Sequence, residues 1–273
     1  MITFNCNAEK NRKVASVNVA SYNLRMDTKS DSLNAWPYRK ESMKDLIRFY
    51  DFDIFGTQEG FKHMLDNLKE MSDYDYVGVG RDDGKDAGEH SAIFYKKSKL
   101  QLLDSGNFWY SETPDVPGLG WDATCCNRIC SWGKFRDIKS GKVFLMFNSH
   151  YDHEGKVARR ESSKLLLKKI RTIADKNVPV FVTGDFNASP DEEPMKIIEQ
   201  DGMLKDSYKV SRQKPYGTYG TFNAFKPAAE TNPRIDYIWV TDNIIVNKYG
   251  TLNDMENGRY PSDHFPIMIK AKF

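Results

Sequence analysis

Residues 125–149, CCNRICSWGKFRDIKSGKVFLMFNS, decide the fold. Two strand-like runs, Cys125 to Asp137 and Val143 to Ser149, flank Lys139-Ser140-Gly141-Lys142, a polar turn with a glycine, which is the pattern of a β-hairpin. A hairpin makes antiparallel neighbours, which a purely parallel α/β sheet lacks. Arg234 to Thr241 and Ile244 to Tyr249 predict a second hairpin over 234–249. Outward from these, strand and helix periods alternate. Val14 to Leu24 reads as a strand. After Pro37, Met43, Leu46, Ile47 and Tyr50 share one helix face. Phe52 to Thr57 is a short apolar strand, followed by helical spacing at Phe61, Leu65, Leu68 and Met71. Ser91 to Tyr95 and Leu100 to Ser105 are further strands, Val157 to Ala174 is a helix, and Pro179 to Thr183 and Ile267 to Ala271 are strands. Ser189-Pro190-Asp191-Glu192 has the form of a helix N-terminus. The expected fold is α+β, two packed mixed β-sheets with helices outside.

The chain has 273 residues and no Pro/Gly/Ser linker, which predicts one domain over 14–273 after a polar leader at 1–13. Forty basic against 38 acidic side chains give a net charge of +2. That balance disfavours a long groove on duplex DNA, which needs several Lys/Arg–phosphate contacts. No apolar run approaches the ~20 residues that span a bilayer. No apolar segment follows a basic start, so the compartment stays open, cytoplasm or export after loss of a signal. A monomer without stable membrane insertion is the default expectation. Cys125, Cys126 and Cys130 lack a second Cys or His pair at zinc spacing, which predicts buried free thiols.

The polar residues of interest fall at strand ends, where they are free to converge on one rim. Asn23, Glu59, His150, Asp185 and Asn187 follow strands, and Asp263 and His264 precede the last one. Glu59, Asp263 and the Asn23 amide are oxygen donors suited to Mg²⁺ or Mn²⁺. Two histidines with Asp185 and Asp236 supply proton transfer and orientation. No GxGxxG loop, Walker loop or GxSxG elbow is present. A hard cation beside His and Asp groups is apparatus for attack of water on a phosphate ester.

The motifs Tyr22-Asn23-Leu24-Arg25, Gly56-Thr57-Gln58-Glu59, Asn148-Ser149-His150-Tyr151-Asp152-His153, Gly184-Asp185-Phe186-Asn187, Arg234-Ile235-Asp236-Tyr237-Ile238 and Ser262-Asp263-His264-Phe265-Pro266 occur in that order. Together they resemble the endonuclease/exonuclease/phosphatase superfamily, the deoxyribonuclease I-like phosphohydrolases. The resemblance implies a four-layered αββα sandwich and an Mg²⁺ (or Mn²⁺) held by Glu59, with Asn23 in support and Asp263 at the metal or bracing His264. It implies that Asp185 and Asn187 position water and phosphate, that His264 acts beside the phosphorus, that Asp236 orients its neighbours and that His150 stabilises the phosphoryl oxygens. Asp185 and His264 both remain candidates for general base.

Taken singly, Asn23 reads as a turn cap, the Gly184 motif as a β-turn and Asp236 as a structural partner of Arg234. Arg128 resembles a phosphate-contacting arginine of the family's exonuclease branch, and an exposed strand-face arginine is the competing reading. For Asp152 and His153 a loop salt bridge with Arg159 or Arg160 is the simplest reading, whereas Glu89 and His90 could reach the site. Trp36 and Arg39 read as packing. Tyr110, Trp121 and Tyr219 are candidates for stacking on a base or sugar. The expected activity is metal-dependent phosphoester hydrolysis, on single-stranded nucleic acid in the 3′–5′ sense or on a sugar or lipid phosphate. A non-catalytic binding module is the reading from another class, and the catalytic motifs argue against it. A membrane-surface phospholipase would need Asn107-Phe108-Trp109-Tyr110 as an exposed apolar hairpin.

Overall fold

Twelve strands form two six-stranded sheets in the structure, a computed structural model that describes residues 14–226 and 233–273. The leader at 1–13 and Cys6 lie outside the described residues. The elements run β1 (Ser16–Asn23), α1 (Trp36–Phe49), β2 (Ile54–Gln58), α2 (Lys62–Lys69), β3 (Tyr74–Val77), β4 (Ile93–Lys96), β5 (Leu100–Trp109), β6 (Ile129–Asp137) and β7 (Val143–His150). They continue with α3 (Lys156–Ile173), β8 (Val180–Asp185), α4 (Glu193–Asp201), β9 (Lys205–Asp206), α5 (Ser207–Val210), β10 (Asp236–Val240), β11 (Ile245–Thr251) and β12 (Ile267–Lys272). The first sheet has the order β11-β12-β1-β2-β4-β3, the second β5-β6-β7-β8-β10-β9. Each has one parallel pair at its centre, β1 with β2 and β7 with β8, bridged by α1 and α3.

Strand alternation explains the four layers. In β7, Phe144 and Met146 face the other sheet, joining Phe181 and Ile238 of their own sheet in a core with Val19 and Ile54 of the other. Leu145 and Phe147 point the other way, onto Leu166 and Ile170 of α3 and Ile198 of α4. In β2, Ile54 joins the inter-sheet core while Phe55 packs on Ile47 of α1 and Leu65 of α2. Both faces of these strands are buried, so they read as continuous apolar runs. The αββα sandwich therefore follows from the side-chain period of two.

The 125–149 hairpin forms, pairing Cys130 with Ser149 through Arg136 with Val143. The expected hairpin at 234–249 does not. β10 lies between β8 and β9, and β11 pairs with β12 in the other sheet. β10 is buried along its whole length, whereas β11 alternates with exposed positions at an edge. Adjacent apolar runs show that two strands exist but not that they pair. The Ser189 cap also shifts. α4 begins at Glu193 with Pro194 in its first turn, and the Glu192 carboxylate accepts from the Ser189 N–H at 2.7 Å. Cys125 and Cys126 are not buried thiols, because β6 starts only at Ile129. They are joined by a disulfide in the preceding loop, and Cys130 alone of the three is free and buried. Phe108, Trp109 and Tyr110 are buried, so the membrane-surface hairpin is absent. No helix among the described residues is long and apolar enough to cross a membrane.

A polar bolt joins the sheets just beneath the strand ends. The buried Asn148 amide donates to Thr57 O at 2.8 Å and Ala92 O at 3.0 Å, and accepts from Gln58 Nε2 at 2.7 Å and Thr183 Oγ1 at 2.9 Å. Gly56 permits this approach, since a Cβ there would collide with Asn148 Oδ1 and Thr183 Oγ1. Asn148→Ala strands four buried partners and is expected to cost about 2–5 kcal/mol in denaturant unfolding. A loss below about 1 kcal/mol would contradict the bolt.

Candidate active site

Topology brings the strand-end residues to one rim. β1 and β2 run parallel, so Asn23 and Glu59 emerge side by side, and β7 with β8 does the same for His150 and Asp185. β10 runs antiparallel to β8 with Asp236 opposite Asp185. β12 runs antiparallel to β1 with Ile267 opposite Ser21, which places Asp263 and His264 at the same edge. Local backbone completes the turn outward. Glu59 and Asn187 sit at φ of 62° and 47°, and Gly184 at φ 158°, where a Cβ would strike Ser149 O.

The result is a cavity of about 390 Å³. Glu59, Asp185, His264, His150, Asn187 and Asp263 line it, while Asn23 and Asp236 lie beneath, each about 1% exposed. Asn23 Nδ2 donates to Glu59 Oε1 at 2.9 Å and to Asp185 Oδ2 at 3.0 Å, tying the two carboxylates together. Its Oδ1 accepts the Arg25 N–H at 2.9 Å. Glu59 Oε2 accepts the Met26 N–H at 3.0 Å. His264 Nδ1 is 2.9 Å from Asp236 Oδ2, and its Nε2 is 3.8 Å from Asp185 Oδ2. The imidazole thus bridges two buried carboxylates. Asp236 is paired with this histidine, and Arg234 takes Asp206 instead, at 2.6 and 3.1 Å.

The two histidines carry opposite electrostatics. Burial, reinforced by Arg128, pushes His150 down to about 3, so it is neutral. Burial also opposes charge on His264, but Asp236 and Asp185 together outweigh it and raise its pKa well above the usual value. His264 therefore favours its charged form, hydrogen-bonded to Asp236 and ion-paired with Asp185. Burial and the neighbouring Asp236 raise Asp185, and burial pushes Asp263 up to about 6.

The donor set tests whether a divalent cation fits. Glu59, Asp185 and His264 each offer a ligand atom, all within 4.8 Å of one another. A set with two carboxylates of this kind suits a hard cation. Glu59 and Asp185 are the residues that would hold it. Asn23 braces them, with a second lone pair on Oδ1 to offer. Asp263 lies apart from this set, 3.7 Å from Arg25 Nε.

Three arginines line the same cavity: Arg25, Arg81 and Arg128. Arg128 is buried, not exposed on a strand face, and contacts Asp152 Oδ2 at 3.3 Å and His153 Nδ1 at 2.7 Å. Asp152 thus pairs with Arg128, while Arg159 reaches only its backbone oxygen. Arg81 bonds Glu89 at 2.8 Å, and its buried Nε has no hydrogen-bond partner. Glu89 in turn stands 3.6 Å from His150 Nδ1. Sequence reasoning gave Arg81 no role, because Arg81-Asp82-Asp83 reads as a solvated charged loop. His90 turns to Gly60 O at 3.2 Å. Arg39 is more than packing: buried under the β1 end, it donates to Leu24 O, Arg25 O and Pro261 O, fixing the Asn23 turn against the Asp263 loop. Tyr110 is buried against Ser149, and Tyr219 stacks edge-on with Tyr208, so neither enters the cavity. Trp121 packs against the outer core of the second sheet.

The model of the Endonuclease/Exonuclease/phosphatase family matches residues 2–264. Among solved structures, a mannosyl-6-phosphatase from Bacteroides thetaiotaomicron is 46% identical with a TM-score of 0.90, over 93% of this chain and 99% of that one. A family protein of the same organism is 45% identical with a TM-score of 0.93, over 96% of each chain. A Ccr4 subunit of the CCR4-Not complex, a 3′-5′-exoribonuclease from Emericella nidulans, is 22% identical over 93% of this chain and 51% of its own length. The chain spans about half the length of that relative. With the family model covering nearly the whole chain and the strand-end motifs gathered at one cavity, the chain belongs to the Endonuclease/Exonuclease/phosphatase family, a family of phosphoester hydrolases.

Proposed function

We propose that the chain is a divalent-metal-dependent phosphomonoesterase acting on a small sugar phosphate, with Mg²⁺ or Mn²⁺ as the cation. The observation that carries this reading is a bounded cavity in which three guanidinium groups share the lining with Glu59, Asp185 and His264. About 390 Å³ is the size of a small-molecule site. A terminal phosphate dianion matches several guanidinium forks, and Arg25, Arg81 and Arg128 all line this cavity. The sugar-phosphate activity named for the 46%-identical structure supports the same substrate class.

When bound, the cation supplies Lewis-acid charge against the phosphoryl oxygens. The chain's own groups do the rest. Arg81 and Arg128 orient the phosphate, Asn187 and Asp185 place the water, and the Asp185–His264–Asp236 chain takes its proton. His150, neutral and next to Arg128, donates a hydrogen bond to a phosphoryl oxygen.

A single-stranded 3′–5′ exonuclease is the second reading, favoured by the named activity of the Ccr4 relative. Among the described residues Tyr110 and Tyr219 stay outside the cavity, so neither offers that substrate a stacking platform. Arg128→Ala is expected to raise KM for a sugar phosphate by about 10–100-fold with a smaller change in kcat, from loss of a charge-assisted phosphate contact. Steady-state kinetics check this. An unchanged KM would remove Arg128 from the phosphate site.

A further inference from the structure

The loop between β5 and β6 is fastened at both ends. Asp122 accepts from Val157 N and Ala158 N at 3.0 and 2.6 Å, capping α3 from outside, and Thr124 bonds Glu154. Beyond the loop's centre, Asn127 Nδ2 reaches Arg81 O at 3.3 Å, and Arg128 O accepts from Tyr110 N at 2.8 Å. Between these anchors lie Cys125 and Cys126, neighbours in sequence joined by a disulfide. Cys125 is exposed, and Cys126 lines the cavity with Arg128 and His153. A disulfide between adjacent residues closes a small ring through the intervening peptide, so the backbone there loses freedom and carries two polarisable, apolar sulfurs. Arg25, Glu59, Arg81, Glu89, Arg128, Asp185 and Asp263 are the charged part of the cavity lining. Cys126, Met26, Phe222 and Ile235 are its apolar part.

We propose that the Cys125–Cys126 disulfide is a recognition element for the substrate's leaving group, a rigid apolar plate that packs on the carbon face of a sugar whose phosphate is held by Arg128. This rests on the phosphomonoesterase reading above and goes beyond it by assigning the part of the site that sees the sugar. Arg128 and Cys126 line the same cavity, so a phosphate held by the guanidinium leaves the attached sugar within a lining that includes the disulfide. The plate is also reducible. A dithiol breaks the S–S bond by exchange: two S–H bonds form on Cys125 and Cys126, and the dithiol closes to its own cyclic disulfide. The loop then gains freedom between its anchors at Thr124 and Asn127.

The test compares two monoesters with the same phosphate and different leaving groups, mannose 6-phosphate and methyl phosphate. Each is assayed with the full chain as purified, after dithiothreitol treatment, and as the Cys125→Ser/Cys126→Ser variant. Intact mass under denaturing conditions reports the disulfide, which gains two hydrogens on reduction. The expected result is a KM for mannose 6-phosphate raised about 10-fold in the reduced and variant proteins, with kcat and both constants for methyl phosphate unchanged, the size of one lost apolar contact in a pocket. The buried Cys130 is the internal control, since Cys130→Ser should leave this redox response in place. Free thiols at both positions in the protein as purified would overturn the proposal. So would KM values indifferent to reduction, or equal shifts for the two esters. No turnover of either ester by the oxidised protein would sink the phosphomonoesterase reading, and this proposal with it. Turnover with an indifferent KM sinks the proposal alone.

Discussion

Replacing His264 by Ala, or Asp185 by Asn, is expected to lower kcat by about 10²–10⁴ while the melting curve and KM change little. The proton of the attacking water needs one acceptor path. The path here is a single chain, Asp185 at 3.8 Å from His264 Nε2 and Asp236 at 2.9 Å from its Nδ1. Groups that act as one unit lose activity non-additively. The double variant is therefore expected to cost little more than the worse single change. Multiplicative losses would show that Asp185 and His264 act independently. From the sequence, Asp236 is a remote orienting group whose Asp236→Asn change would be mild. The structure raises that expectation to a loss comparable with His264→Ala. Asp236 is the acceptor at Nδ1, and an amide can turn its N–H toward the ring and reverse the tautomer. The same steady-state assays, run with thermal melts, separate this from simple loop bracing, which would lower stability and binding together.

Removing divalent cations is expected to abolish turnover, with recovery on adding Mg²⁺ or Mn²⁺. Glu59 and Asp185 offer oxygens within 4.8 Å of one another and of a His264 nitrogen, and burial with Asp236 raises Asp185. A cation that satisfies them should also stabilise the fold by mass action, so the melting temperature should rise with Mg²⁺ concentration. Glu59→Gln should remove most of that rise together with activity. A melting curve indifferent to Mg²⁺ in the parent protein, alongside full activity in EDTA, would contradict the metal account.

The strand-end placement of Asn23, Glu59, His150, Asp185 and His264 was readable because each ends or precedes an apolar run of clear period. Convergence on one edge then followed from topology. Less was readable where pairing depends on distant chain. β10 and β11 look like a hairpin because both are apolar and adjacent, yet β10 has two buried faces and enters the other sheet. β3 escaped notice because its four residues, Tyr74–Val77, carry too little alternation. Arg81 was invisible for another reason. Its role depends on Glu89 and on the bend that returns the chain to His90, and nothing local marks an arginine in Arg81-Asp82-Asp83 as half-buried. The cysteine pair was misjudged because the strand was extended too far toward its N-terminus. With β6 beginning at Ile129, Cys125 and Cys126 fall in a loop, where adjacent sulfurs can meet.

The central claim is that this cavity hydrolyses a small phosphomonoester with a divalent cation. Phosphate release from mannose 6-phosphate, measured in parallel with nucleotide release from a single-stranded oligoribonucleotide, with Mg²⁺ and with EDTA, tests it most directly. The account predicts Mg²⁺-dependent phosphate release from the sugar phosphate, abolished by EDTA, at a kcat/KM well above that for the oligonucleotide. Efficient 3′-end nucleotide release with no turnover of the sugar phosphate, or sugar-phosphate hydrolysis undiminished in EDTA, would contradict it.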